Sequence, residues 1–177
     1  MKIGFCGTMS VGKTTLVNAL KEDEVFKDYK FATERSKYLS SLGIPLNTSS
    51  TYKGQMIFSA ERAAELLQEN VITDRTVIDV IAFSRLSEQM NEDEKDIIED
   101  MLFYLIQDYD IIFHIDDLSI PIEDNGIRET NKKYREEIAK EIDNIIKKYK
   151  LEFRKIIKIS GTTEERINQV KVALNMY

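Results

Sequence analysis

The sequence predicts an α/β fold in which a five-stranded, mostly parallel sheet has helices on both faces. Short runs rich in β-branched and aromatic residues alternate along the chain with longer stretches of helical periodicity. The five runs are residues 2–6, 29–33, 70–73, 109–115 and 155–159. Strands that alternate with helices pair in parallel through crossover connections. Ligands of such sheets bind beyond the carboxyl ends of the strands, so the candidate site residues are those that follow each strand.

The first strand leads directly into a glycine-containing loop. Residues 7–14 read Gly-Thr-Met-Ser-Val-Gly-Lys-Thr, a full match to G-x-x-x-x-G-K-[ST]. A strand before the loop and a helix opening near Gly12 direct a row of backbone N–H groups at one anion, where the helix dipole also favours negative charge. The pattern therefore predicts a phosphate loop that binds a nucleoside triphosphate. Its predicted binding residues are Gly7, Thr8, Met9, Ser10, Val11, Gly12, Lys13, Thr14 and Thr15.

Two side chains of this loop have separate predicted roles. Lys13 is a candidate catalytic residue because its ammonium group reaches the β and γ phosphates. The hydroxyl of Thr14 is a candidate ligand of Mg²⁺.

Carboxylate and arginine neighbours follow the second and third strands. Glu34-Arg35 comes after the second strand, and Asp74-Arg75 comes after the third, with Asp79 about one turn later. Phosphoryl transfer needs a carboxylate near the metal, a carboxylate that orients or deprotonates an acceptor hydroxyl, and arginines that hold phosphate oxygens. We predict that Asp74 is a catalytic residue on the metal side, because its strand would lie beside the phosphate-loop strand. Glu34 then faces the acceptor as a catalytic residue, and the predicted acceptor-binding set is Glu34, Arg35, Arg75 and Asp79.

The segments after the fourth and fifth strands contain further candidates. Residues 117–135 predict a lid that closes over the phosphates, with Gly126 as its hinge and Arg128 near its tip. Arg128 and Arg135 would then reach the transferred group, although an exposed Arg135 on a charged helix is the alternative. After the fifth strand, Gly161 is predicted to lie beside the nucleotide, where its loop contacts the adenine.

Two helical stretches carry apolar stripes that predict core-facing sides. The stretch 51–69 has Tyr52, Met56, Ile57, Ala60, Ala64 and Leu67, and the stretch 131–149 has Tyr134, Ile138, Ile142, Ile145 and Tyr149. Near the end of the chain, Thr162-x-x-Glu165 predicts a capping box that begins the last helix. His114 and Cys6 are flanked by apolar residues, and we predict that both are buried rather than catalytic.

Composition limits the class of protein. The 177 residues are 42% hydrophobic, which suits one core, so we predict a single domain over residues 1–177. The net charge of −6 gives no overall attraction to nucleic acid or to anionic membranes. With one cysteine, no signal-peptide pattern and no run of about 20 apolar residues, the expected location is the cytoplasm, with no membrane contact.

Taken together, these motifs resemble those of a group of small AAA-labelled kinases. The group includes the nicotinamide-riboside kinase domain of bacterial NAD regulators and many phage kinases, and thymidylate and deoxynucleoside kinases are similar at a greater distance. The resemblance is carried by the 7–14 loop, Glu34-Arg35, Asp74-Arg75 with Asp79, Ile81-Ala82-Phe83, Asn125-Gly126-Ile127-Arg128, Arg135, Ser160-Gly161 and Glu165-Arg166. It implies a P-loop kinase fold with strand order 2-3-1-4-5, Mg²⁺ and ATP as the donor, and an acceptor near Glu34, Asp74 and Arg75. This chain departs from the family's usual Asp-Gly-x-Arg lid pattern by the insertion of Asn125.

The acceptor is left open by the sequence. A nucleoside or riboside hydroxyl requires a base such as Glu34 or Asp74, whereas a nucleoside monophosphate requires Arg35 and Arg75 to hold its charge. One alternative is a hydroxymethyl-modified base in phage DNA, with the host cytoplasm as the location. Another is a nucleotide-dependent regulatory ATPase or switch with no small-molecule acceptor. Oligomeric state is not determined by these patterns.

Overall fold

The computed structural model describes residues 1–33, 35–122 and 131–176. Its strands are β1 (Lys2–Cys6), β2 (Lys30–Ala32), β3 (Val71–Asp74), β4 (Ile111–Ile115) and β5 (Ile156–Ile159). They form one sheet in the order β2-β3-β1-β4-β5, and every neighbouring pair is parallel. The predicted α/β class and the strand order that the resemblance implied are therefore confirmed.

Helices connect the strands. They are α1 (Lys13–Lys21), α2 (Ser36–Ser41), α3 (Tyr52–Leu66), α4 (Val77–Arg85), α5 (Glu92–Ile106), α6 (Lys132–Lys148) and α7 (Thr163–Leu174). The capping box predicted at Thr162 is present, because its side chain accepts the N–H of Glu165 while the Glu165 carboxylate accepts the N–H of Thr162. Within the described part of the chain, no helix is long and apolar enough to cross a membrane.

The sheet separates two apolar cores. Cys6 and Ile112 face α4, α5 and α6 on one side, whereas Phe5 and Phe113 face α1 and α7 on the other. The rings of Phe5 and Phe113 stack with their centroids 5.3 Å apart. Because neighbouring residues of a strand point to opposite faces, β1 and β4 each contribute to both cores.

The apolar stripe predicted for α6 is confirmed, since Tyr134, Ile138, Ile142 and Ile145 are buried and Tyr149 packs against the same core. His114 is also buried, as predicted, and burial lowers the pKa of its imidazole.

The stripe predicted for α3 is wrong. Met56, Ile57 and Leu67 are exposed, and Leu67 keeps 83% of its accessible surface. The buried side of α3 consists instead of Gly54, Gln55, Ser59, Arg62 and Leu66. Arg62 turns toward the end of β3, where its guanidinium finds hydrogen-bond acceptors in the backbone. Leu66 joins the core formed with α4 and α5, and Tyr52 and Phe58 pack against it, so the helix faces inward along a different stripe from the predicted one.

Candidate functional site

The loop between β1 and α1 has a backbone that curls around a small concave space. Gly7 and Gly12 have φ of +151° and +85°, and Ser10 has φ of +57°. A Cβ atom at Gly7 would lie 2.2 Å from the carbonyl oxygen of Ile115, so the loop approaches β4 more closely than any other residue type allows. The predicted phosphate-loop geometry is thus present between a strand and a helix N-terminus.

Lys13 is buried beneath this loop. Its Nζ donates to the carbonyl oxygens of Gly7 at 2.5 Å and Thr8 at 2.7 Å. Removal from water lowers the pKa of the ammonium group. The loop therefore holds a cation on its inner side, where an anion bound to the loop would lie.

The side chains of Thr14 and Asp74 are in direct contact, and their role as ligands of Mg²⁺ stays a prediction. The Thr14 hydroxyl donates to Oδ2 of Asp74 at 2.6 Å. The contact follows from the sheet, because β3 lies beside β1 with Asp74 in register with Phe5, the residue two before the loop. A hydroxyl and a carboxylate are hard oxygen ligands of the kind Mg²⁺ takes, and Mg²⁺ completes its shell with water and phosphate oxygens. No group of three or more His, Cys, Asp or Glu with metal-site geometry occurs among the described residues.

Asp79 is placed beneath the loop. Its Oδ2 accepts the N–H and the hydroxyl of Thr76 at 2.8 and 3.0 Å, and its Oδ1 accepts the N–H of Gly7 at 3.3 Å. The first two contacts belong to the capping box of α4. Asp79 is fully buried, so the structure gives it a role in holding the loop; its predicted contact with an acceptor stays a prediction.

Arg75 lies at a strained turn after β3. Its φ is +95°, an uncommon value for a residue with a side chain, and its guanidinium carbon lies 5.1 Å from the centre of the Phe83 ring. Arg62 of α3 holds this turn, because its Nη1 donates to the carbonyl oxygens of Arg75 at 3.2 Å and Asp74 at 3.5 Å. Such strain concentrates at functional sites, where surrounding contacts maintain it.

Arg62 is one of the functional candidates that the sequence did not reveal. It belongs to no motif, and the only signal in the sequence is the acidic residue Glu65 one turn later, with which it forms an ion pair at 2.6 Å. Burial raises the pKa of Glu65 to about 7, even though Arg62 acts in the opposite direction.

Arg35 immediately precedes α2 and contacts side chains of α2 and α3. Its Nη1 pairs with Oε1 of Glu61 at 3.1 Å, and its guanidinium carbon lies 4.7 Å from the centre of the Tyr38 ring. The side chain is about half exposed. The structure therefore gives Arg35 partners on α2 and α3, and its predicted contact with an acceptor stays a prediction.

A cleft of about 670 Å³ extends from the phosphate loop to the end of β5. Besides loop residues 9–14, its walls include predicted residues Thr15, Asp74, Arg75 and Gly161. Gly161 lines this cleft, and its contact with a nucleotide stays a prediction. The remaining lining residues are Asn18, Asp117, Ile120, Thr162, Thr163, Glu165 and Arg166.

Arg135 is neither exposed nor directed toward a transferred group. It is 5% exposed, and its guanidinium donates to backbone carbonyl oxygens of the phosphate loop and of residues 117–120. Arg166 is buried in a similar setting. Both roles were missed because an arginine that hydrogen-bonds distant backbone carbonyls leaves no pattern in a sequence.

Three sequence predictions concern residues outside the described ones: Glu34 as an acceptor-side catalytic residue, Arg128 as a lid residue that binds the nucleotide, and Gly126 as a hinge. Of the predicted lid, 117–135, the structure describes residues 117–122 and 131–135.

A parallel sheet of order 2-3-1-4-5, with a phosphate loop after its central strand, defines the P-loop kinase fold. The chain belongs to the family AAA_28, an AAA domain, whose model matches residues 2–166. No curated protein matches the sequence.

Solved structures support the fold assignment. A deoxyadenosine kinase from M. mycoides with dCMP and dCDP bound has a TM-score of 0.74 and 18% identity, over 99% of both chains. NadR in complex with NAD and AMP-PNP has a TM-score of 0.75 and 18% identity, over 99% of this chain and 49% of its own. Thymidylate kinase from Candida albicans has a TM-score of 0.68 and 17% identity, over 98% of this chain and 90% of its own. The resemblance stated from the motifs is thereby confirmed at the level of family and fold.

Proposed function

We propose that this protein is an ATP-dependent kinase that transfers the γ-phosphoryl group of Mg-ATP to a nucleoside, a riboside or a nucleoside monophosphate. The observation that carries the proposal is the 2.6 Å contact between the Thr14 hydroxyl and Asp74 Oδ2, at the mouth of a phosphate loop. A phosphate loop alone binds anions, whereas a loop joined to a carboxylate on the neighbouring strand has the equipment for phosphoryl transfer. The kinases of similar fold support this assignment.

The residues of the loop would bind and orient the donor. Backbone N–H groups of the loop and the buried ammonium of Lys13 would hold the β and γ phosphates. Thr14 and Asp74 would hold Mg²⁺, which when bound offsets negative charge on the phosphates and on the leaving group. Arg128 is proposed to stabilise the transferred group.

Glu34 is the proposed base toward the acceptor. Asp74 accepts the hydroxyl of Thr14, which supports a role on the metal side. A hydroxyl acceptor needs a separate carboxylate to orient it or remove its proton. Glu34→Gln should therefore leave ATP affinity unchanged and reduce acceptor turnover about a hundred-fold; an equal loss of both would assign Glu34 to the fold.

A hydroxyl acceptor is favoured over a monophosphate by the charges beside the Asp74 turn. Arg62, which holds that turn, pairs with Glu65 at 2.6 Å, and Arg35 pairs with Glu61 of the same helix at 3.1 Å. Guanidinium groups that already face carboxylates attract a phosphate dianion weakly, and nearby glutamates repel it. The acceptor that suits this wall is a neutral or cationic nucleoside or riboside.

ADP release from Mg-ATP tests the proposal. The purified protein is incubated with separate pools of nucleosides, nicotinamide riboside, nucleoside monophosphates and hydroxymethyl-modified DNA. Lys13→Ala serves as the inactive control, and Lys21→Ala, an exposed lysine of the same helix, serves as the matched control. Release that depends on one pool supports a kinase and names its acceptor class.

Slow ADP release that is indifferent to every pool would contradict the proposal and favour a regulatory ATPase. Release that depends on modified DNA alone would move the acceptor into nucleic acid, and its rate should then fall steeply with added salt.

A further inference from the structure

Every backbone carbonyl from Gly7 to Val11 accepts a hydrogen bond from a buried cationic side chain. Lys13 holds the carbonyl oxygens of Gly7 and Thr8. The remaining three are held by arginines from distant helices. Arg135 of α6 donates from Nε to Met9 at 3.1 Å and from Nη2 to Ser10 at 3.2 Å, and Arg166 of α7 donates from Nη1 to Val11 at 2.7 Å.

Both arginines are anchored on their other side to the segment that follows β4. Arg135 Nη1 donates to the carbonyl oxygen of Ile120 at 2.7 Å, and its guanidinium also contacts the carbonyls of Asp117 and Leu118. Arg166 Nη2 donates to Oδ2 of Asp117 at 3.0 Å. Each guanidinium therefore bridges two chain segments that are far apart in sequence.

The orientation of the carbonyls determines where the loop's N–H groups point. In a trans peptide the C=O and the following N–H point in opposite directions. Carbonyls 9–11, which the two arginines hold, consequently direct the N–H groups of residues 10–12 away from the arginines, toward the cleft. Successive N–H groups with this arrangement form a concave anion site.

The guanidinium group is suited to this task. It remains charged at every relevant pH, offers five donors in a rigid plane, and is more weakly hydrated than an ammonium group, so its burial costs less. Arg135 and Arg166 are 5% and 3% exposed, so both guanidinium groups are largely removed from water.

We propose that Arg135 and Arg166 are positioning residues that preset the phosphate loop for nucleotide binding by holding the carbonyls of Met9, Ser10 and Val11. The effect on nucleotide affinity rests on the proposed function. The effect on loop order does not.

The experiment compares wild-type protein with Arg135→Gln, Arg135→Lys, Arg166→Gln and Arg166→Lys. Arg154→Gln is the matched control, because Arg154 is an exposed arginine that pairs with Asp110 at 3.0 Å, away from the loop. Two quantities are measured at a temperature where each variant is folded: ¹⁵N order parameters of the loop N–H groups without ligand, and Mg-ATP affinity by calorimetry.

In the wild type we expect loop order parameters near the rigid-backbone value of about 0.85, and in Arg135→Gln values falling toward about 0.6, with β1 and β4 unchanged. Mg-ATP affinity should fall about ten-fold or more in the glutamine variants, the effect of losing charge-assisted hydrogen bonds. In the lysine variants, loop order and affinity should lie between the wild-type and glutamine values, because one ammonium cannot reach oxygen acceptors on both sides. Arg154→Gln should match the wild type in both measurements.

The proposal would be overturned if Arg135→Gln and Arg166→Gln kept wild-type loop order and Mg-ATP affinity and lowered only the melting temperature. The two arginines would then have a structural role alone. If a glutamine variant does not fold, loop order and Mg-ATP affinity in the corresponding lysine variant decide the question instead. A wild type that fails to bind Mg-ATP would contradict the proposed function. The order parameters would still decide whether Arg135 and Arg166 order the phosphate loop.

Discussion

The hydroxyl of Thr14 and the carboxylate of Asp74 are the pair of groups on which the proposed chemistry depends most directly. Asp74→Asn keeps the size of the side chain but removes the charge that would hold Mg²⁺. We expect acceptor-dependent ADP release to fall about a hundred-fold or more, since metal stabilisation of transferred charge is worth several kcal/mol. The measurement is the ADP-release rate as a function of Mg²⁺ concentration, with excess Mg²⁺ giving partial recovery.

Asp100→Asn is the control for this variant, because Asp100 is an exposed carboxylate on α5. It should leave the rate unchanged. A wild-type rate in Asp74→Asn would assign the metal-side role to a different carboxylate.

The raised pKa of Glu65 predicts how the free energy of unfolding depends on pH. Burial raises its pKa from an ordinary 4.5 to about 7 in the folded protein, against the attraction of Arg62 and Arg35 and with the repulsion of Glu61 and Asp74. Between these pH values the folded state holds a proton that the unfolded state has released. The free energy of unfolding should therefore decrease as the pH rises from 4.5 to 7, by at most about 3 kcal/mol, and should level off above pH 7.

Urea unfolding of the wild type and of Glu65→Gln at pH 5 to 8 measures this contribution. The difference between the two curves isolates Glu65 from other titrating groups such as His114. Glu69→Gln, a change at an exposed glutamate just beyond α3, should run parallel to the wild type. Parallel curves for Glu65→Gln as well would mean that Glu65 keeps an ordinary pKa.

At the level of single elements, the capping box of α4 is tied to the phosphate loop. Asp79 accepts the N–H and the hydroxyl of Thr76 through one oxygen and the N–H of Gly7 through the other. An asparagine at this position has one carbonyl oxygen and would turn an NH₂ group toward one set of donors. Asp79→Asn should lower the free energy of unfolding by about 2 kcal/mol and weaken Mg-ATP binding.

The capping box of α5 provides a matched comparison. Glu94 has the same position in that helix, accepts the N–H of Asn91, and lies at an exposed site. Glu94→Gln should cost less than about 1 kcal/mol and leave Mg-ATP affinity unchanged. Denaturant unfolding measures the stability of both variants, and calorimetry measures their Mg-ATP affinity. An unchanged affinity in Asp79→Asn would mean that the capping box of α4 does not affect nucleotide binding by the loop.

The elements also differ in how well the sequence predicts them. The strands were predicted to within two residues at each end, because buried parallel strands are short apolar runs, rich in β-branched and aromatic residues, that alternate with longer helical stretches. The phosphate loop was predicted residue by residue, since its glycines and lysine are required by local geometry. These features depend only on neighbours along the chain.

Two features could not be predicted in that way. They are the side of α3 that faces the core, and the hydrogen bonds by which Arg135 and Arg166 hold the phosphate loop. Met56 and Leu67 have a helical spacing that indicates a core, yet α3 buries Leu66 and Arg62 instead, and Arg62 reaches the turn after β3. Arg135 and Arg166 hold carbonyls more than a hundred residues away in sequence. A hydrogen bond to a backbone carbonyl requires no particular residue type at the acceptor, so it leaves no paired signal in the sequence.

At the scale of the whole molecule, two apolar cores share the central strands. Phe5 and Phe113 point into one core, and Cys6 and Ile112 point into the other. Loss of either core would expose one face of β1 and β4 and remove the packing that keeps these strands paired. We therefore expect the chain to unfold in one cooperative transition, as the predicted single domain requires.

Two tyrosines report on the two cores separately. Tyr109 is buried in the core under α4 and α5, and Tyr29 packs against the core under α1. In fluorotyrosine-labelled protein, the ¹⁹F signals of both residues should disappear at the same urea concentration as the far-ultraviolet circular dichroism signal. Mg-ATP at a hundred times its dissociation constant should raise the free energy of unfolding by about 2.7 kcal/mol for both signals together, because only the folded protein binds it. A Tyr29 midpoint that shifts with Mg-ATP while the Tyr109 midpoint stays in place would divide the molecule into two unfolding units and contradict the prediction.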